Sequence, residues 1–126
     1  METKKLSYDQ HGISDYLFTA SALVLPKVIG LDRSSVIRYG VLGINLLAYN
    51  LLSNHCYGAV KTIRRKTHLH IDLFNIALLS TLSVFPFVRR KKKVLAYHLA
   101  YTALAVLNVA VSDWKEEPKE NKYLFI

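Results

Sequence analysis

Two pairs of residues in this chain have the chemistry of a site. HGISD at 11–15 and HLHID at 68–72 each place a histidine and an aspartate four positions apart, and that spacing stacks both side chains on one face of a helix. Imidazole and carboxylate both ligate zinc and similar divalent ions. His11, Asp15, His68 and Asp72 could therefore supply the four donors of a tetrahedral shell, provided the helices that carry them begin on the same side. A plainer reading uses the same residues. An aspartate at a helix start accepts backbone N–H groups and is favoured by the dipole there, with the histidine as its partner. A third reading is proton handling, because histidine titrates near neutrality and ionisable groups inside lipid are costly.

The remaining polar residues point less sharply. His55 and His70 fall near the same end as the two pairs, and a haem held by two histidines would need them to face each other at matched depth. His98, one turn into the last apolar run, reads as a hydrogen-bonded interface residue with no evident partner in the sequence. Asn45, Asn50, Asn75 and Asn108 lie inside apolar runs, where an unpaired amide is expensive, so they are expected to bond across helices; a polar path is their functional alternative. Ala96, Ala100 and Ala103 form a small face suited to packing. The single cysteine, Cys56, excludes an intrachain disulfide and a cysteine-rich metal site, and a buried thiol is the default. No Ser-His-Asp order, nucleophile elbow, phosphate-binding glycine loop or pair of catalytic carboxylates is present, so the sequence assigns no reaction.

These residues need elements to position them. A chain of 126 residues makes one domain. It is 52% hydrophobic and 21% charged, and its long uncharged stretches point to lipid. Residues 94–112 carry no charge, and nineteen helical residues rise about 28 Å, close to a hydrocarbon core. Residues 71–88 form a second candidate span with Pro86 near its far end. Residues 36–53 form a third, with Arg38 at its start and Gly40 and Gly43 permitting close contact. The weakest candidate is 15–31, interrupted by Pro26 and Lys27 and ended by Gly30. No small-x-small cleavage pattern follows it, so it reads as structure and not as a secretory signal. A soluble four-helix bundle is the alternative, but a helix such as 94–112 would then need a charged stripe.

Four spans put both termini and the connection around 54–70 on one side. The terminus side then carries nine lysines and arginines and the other side eight, so the positive-inside rule leaves orientation open. The net charge of +8 is concentrated in Lys61–Lys66 and Arg89–Lys93. Both clusters adjoin apolar runs and lack interleaved aromatics, so anionic lipid headgroups suit them better than nucleic acid. The charged tails, 1–10 and 115–126, are expected at the aqueous boundary, with Trp114 and Tyr123 anchoring the second.

The two His-x-x-x-Asp pairs are separated by 57 residues, which suggests two tandem helical hairpins in one orientation. With HGISDY at 11–16, LPKVIGL at 25–31, NHCYG at 54–58 and HLHID at 68–72, the chain resembles the SPW-repeat family of small bacterial membrane proteins, in which each repeat comprises two transmembrane helices. Leu25, Pro26 and Lys27 stand where the first Ser-Pro-Trp would be, and Leu82, Ser83 and Val84 where the second would be. The resemblance implies a four-helix architecture in the bacterial inner membrane and no established chemistry. The expectation is therefore an all-α, four-transmembrane-helix bundle. It would act as a structural or accessory protein through helix association, with itself or within a larger membrane complex. The alternative is a membrane protein binding metal or protons through the two pairs, including a minor transporter.

Overall fold

The computed structural model describes residues 6–115. It is all-helical: α1 (Tyr8–Val28), α2 (Arg33–Leu51), α3 (Arg65–Leu82), the single turn α4 (Pro86–Arg89) and α5 (Lys92–Val111). The expected anchor Tyr123, half of the first charged tail and nearly all of the second lie outside the described residues.

The start of α1 is set by capping chemistry and not by hydropathy. Gln10 N donates to Ser7 Oγ at 3.1 Å while Ser7 N donates to Gln10 Oε1 at 2.9 Å, a reciprocal box that starts α1 seven residues before the expected 15. α3 begins at Arg65, six residues before the expected 71, with no side-chain cap at Arg64. His11, Asp15, His68 and Asp72 thus sit one and two turns inside their helices. The capping role expected for the two aspartates is not observed, since the caps are Ser7 and Arg64.

The C-terminal ends differ as well. α1 runs through buried Pro26 and stops at Val28. Gly30 then takes φ 81°, a left-handed conformation that costs glycine little, and Leu31 N reaches Pro26 O at 2.8 Å. The expected span 71–88 crosses a break: Phe85, extended before Pro86, separates α3 from α4. α5 matches its expected bounds to within two residues at its start and one at its end. It is also the one helix among the described residues long and apolar enough to cross a membrane. The other three long helices carry charged and polar residues within their length, so the four expected spans do not emerge as four apolar helices.

α1 packs chiefly on α2. A Cβ at Gly43 would meet the Leu23 side chain at 2.7 Å, whereas one at Gly40 would meet nothing within 4 Å, so of the two only Gly43 serves close approach. Ala22, Leu46, Tyr49, Leu79 and Tyr101 fill the middle of the bundle, and Leu31, Tyr39, Val88 and Val94 close the end that carries α4. Outside, the surface is apolar: Leu17, Val41, Ile44, Phe74 and Leu104 are all exposed. Ala96, Ala100 and Ala103 are exposed too, so they do not pack within the chain as expected.

Two short backbone pairings fasten the other end. Leu6 N donates to Val111 O (3.0 Å) and Asp113 N to Leu6 O (2.9 Å); Ile63 N donates to Leu52 O (2.8 Å) and Asn54 N to Ile63 O (3.0 Å). The second pairing repeats the first, with Ile63 in place of Leu6 and the end of α2 in place of the end of α5.

Candidate metal centre

At that fastened end the four residues singled out by the sequence converge. His11 Nε2 lies 2.9 Å from Asp72 Oδ2 and 3.2 Å from Asp15 Oδ2. His68 Nε2 lies 2.7 Å from Asp15 Oδ2 and 3.5 Å from Asp72 Oδ2. Both histidines are fully buried and both aspartates nearly so, and one donor atom from each lies within 4.8 Å of every other.

The outer atoms of the square are held in a matched pattern. Ser112 Oγ donates to Asn108 O at 2.5 Å and contacts His11 Nδ1 at 2.7 Å; Ser53 Oγ donates to Tyr49 O at 2.7 Å and contacts His68 Nδ1 at 2.6 Å. With each hydroxyl proton committed to a carbonyl four residues earlier, the serine oxygen accepts, and Nδ1 of both histidines carries a proton. The carboxylates are held likewise. Asp72 Oδ1 accepts from the Tyr49 hydroxyl, and Asp15 Oδ1 from Asn108 Nδ2 at 3.3 Å. Ser53 with Tyr49 and Ser112 with Asn108 are related by a shift of 59 residues, as the two pairs are by 57.

Nε2 of both histidines and Oδ2 of both aspartates are thereby turned inward. Two states satisfy them. In one, each Nε2 keeps its proton and donates to the carboxylates, and two imidazolium and two carboxylate charges cancel. In the other, the Nε2 protons leave and an ion takes their place. The four N–O edges, 2.7–3.5 Å, lie near the donor separation of about 3.3 Å in a tetrahedral shell with bonds of about 2.0–2.1 Å, while the donor set as a whole is bounded only within 4.8 Å, so an ion would have to draw the four together. Histidine held by its second nitrogen and carboxylate held by its second oxygen are the outer-shell features that orient metal ligands.

Aromatic rings cover the square. The Trp114 ring lies 4.6 Å from that of His11 and 5.8 Å from that of His68, with Tyr8 5.7 Å from His68. Trp114, the expected interface anchor, also lies over the site, its Nε1 donating to Val109 O at 3.0 Å. The sequence reading also passed over Ser53, Ser112 and Tyr49. Their one signal was the 59-residue correspondence at the ends of α2 and α5.

The other candidates separate from the square. His70 is exposed and His55 is buried in the 52–64 loop, so the two histidines do not form a haem pair. His55 Nε2 donates to Asn50 Oδ1 at 2.7 Å, its Nδ1 accepts from Tyr57 N at 3.2 Å, and Asn50 Nδ2 donates to Gly12 O at 3.1 Å. Burial pushes His55 down to about 4. His98 has two partners: its Nε2 donates to Leu79 O at 2.6 Å and its Nδ1 accepts from the Tyr39 hydroxyl at 2.6 Å. Asn45 is exposed and faces the groove between α2 and α3 instead of bonding across helices. Cys56 is exposed and not a buried thiol. The basic clusters also secure connections: Lys61 Nζ donates to His55 O, Lys93 Nζ to Ile29 O, and Lys91 pairs with Asp32 at 3.0 Å. Hydrogen bonds from Ser35 and Lys91 hold the Asp32 carboxyl well below the usual carboxylate range.

No protein-family model matches the chain, and no curated protein or solved structure is significantly similar to it.

Proposed function

We propose that this chain is a small membrane-embedded helical bundle that binds one divalent transition-metal ion, of the zinc class, through His11, Asp15, His68 and Asp72. The observation that carries the reading is the convergence of four buried donors whose outer atoms are each fixed by a dedicated partner. A patch of mixed charge has no need of such orientation, whereas a metal shell does. The borderline softness of imidazole with carboxylate favours zinc-like ions over magnesium or calcium.

Two matched hairpins, α1–α2 and α3–α5, supply one His/Asp pair each, in keeping with a tandem repeat and with the resemblance to SPW-repeat proteins of the bacterial inner membrane. The apolar exterior around a polar interior supports a lipid setting. The basic Arg89–Lys93 segment then meets anionic headgroups, and exposed apolar faces are left for a second copy or a larger membrane complex. A second reading has its own observation: the two crossed contacts, His11–Asp72 at 2.9 Å and His68–Asp15 at 2.7 Å, are already hydrogen bonds. In that reading the square is an ion-free lock and the protein a structural or accessory bundle.

Metal analysis of the detergent-purified chain separates the two. The metal reading expects close to one ion per chain in the wild type and none in His11→Ala/His68→Ala. An ion-free wild type whose thermal stability ignores both chelator and added zinc would leave the lock. Retention in membranes after an alkaline carbonate wash tests the lipid setting.

A further inference from the structure

On the carboxylate side of the square lies a cavity of about 40 Å³ bordered by Asp15 and Asp72 and by neither histidine. Two amides line it, Asn75 from α3 and Asn108 from α5, both more than nine-tenths buried. Neither Asn75 Nδ2 nor Asn108 Oδ1 has a hydrogen-bond partner among the described residues. Elsewhere the wall is apolar or aromatic, with Phe18, Leu46 and Tyr101 among its members. Leaving one buried donor and one buried acceptor unpaired costs about 1–3 kcal/mol each. A space of this size and polarity holds at least one water-sized molecule.

We infer that this cavity binds a small oxygen or nitrogen donor, water at rest, that completes the coordination of the ion at the square. The inference rests on the metal reading above and deepens it. A water molecule there would accept from Asn75 Nδ2 and donate to Asn108 Oδ1, leaving its second lone pair for an ion held by the four donors. Both orphaned atoms are satisfied at once. With four protein donors in place, this ligand would be the fifth, an expanded coordination that zinc-class ions accept.

Cobalt(II) and azide test this in the detergent-solubilised full chain. Cobalt reports its coordination through visible absorption, and azide competes for a water position. Wild type is expected to take up one cobalt ion and to show a saturable spectral shift with azide. Asn75→Leu, which removes the donor and keeps the volume, is expected to bind cobalt at the same stoichiometry and to respond to azide about tenfold more weakly. If Asn75→Leu takes up no cobalt, Asn75→Ala serves in its place. Cobalt bound in wild type with a spectrum unmoved by azide, or an azide response unchanged in the Asn75 variant, overturns the inference and leaves the metal centre standing. Failure of wild type to bind cobalt at all overturns the metal reading, and this inference with it.

Discussion

His11 bonds more closely to Asp72, on the other hairpin, than to Asp15 one turn along its own helix: 2.9 Å against 3.2 Å. His68 shows the same exchange, at 2.7 Å to Asp15 and 3.5 Å to Asp72. Each motif is therefore completed by the other, and the square fastens the hairpins whether an ion or two protons occupy its centre. A double-mutant cycle on His11→Ala and Asp72→Asn, read by unfolding in detergent, should give a coupling energy of about 1–3 kcal/mol. It should exceed the coupling between His11 and Asp15. Additive losses would show that the crossed pairing carries no energy.

The serines should act as a matched pair. Ser53→Ala and Ser112→Ala each remove the acceptor that fixes a histidine Nδ1 proton, and each should weaken zinc binding about 10–100-fold. Competition against a chromophoric chelator measures this. Loss confined to one serine would contradict the equivalence of the two halves.

Gly12 is held against the His55 ring. A Cβ added there would meet His55 atoms at 2.6–2.7 Å, and the ring is fixed by Asn50 and the Tyr57 amide, so it cannot swing aside. Gly12→Ala should destabilise the fold by about 1–3 kcal/mol. Gly40→Ala, with open space around its Cβ, should be neutral or stabilise by up to about 1 kcal/mol. Thermal melting of the two variants, side by side, decides.

Much of this arrangement was legible in the sequence because it depended on spacing. The two His-x-x-x-Asp pairs, their common face and the all-helical class follow from local patterns. The helix starts did not, since Ser7 with Gln10 sets the first boundary through side-chain geometry that hydropathy does not register. Nor did the break at Phe85–Pro86, which sits inside an uncharged run. Ser53 and Ser112 were hidden for another reason. They end apolar helices, where a serine is unremarked, and the two-residue difference between the shifts of 57 and 59 blurs the internal match. Asn45 was misplaced because exposure depends on which neighbour a helix face meets, and one sequence does not contain that information.

His55 gives the fold a pH dependence of definite sign. Burial is the main cause of its drop to about 4; the charges of His68 and His11 add to it, while Asp15 and Asp9 oppose it. Between about 4 and the ordinary value near 6.5, the unfolded chain binds a proton that the folded chain refuses. The stabilisation is thus complete above about pH 6.5 and lost as pH falls toward 4, amounting to about 2 kcal/mol between pH 7 and 5. Chemical unfolding at those two pH values should show the loss in wild type and a much smaller one in His55→Gln. Equal slopes would assign the pH dependence to other groups.

Zinc binding should carry its own pH signature, because both Nε2 protons must leave before the ion enters. Apparent affinity should rise with pH, with protons released as the ion enters in a weakly buffered titration. Binding without proton release would place the ion elsewhere.

X-ray absorption at the zinc edge of the zinc-loaded, detergent-solubilised chain tests the central claim most directly. The account predicts one zinc per chain with nitrogen and oxygen neighbours at about 2.0–2.1 Å, two of them imidazoles, and no sulfur. A sulfur neighbour near 2.3 Å would assign the ion to exposed Cys56, and zinc retained with only water-like oxygen neighbours would assign it to the surface; either result would contradict a metal centre at His11, Asp15, His68 and Asp72.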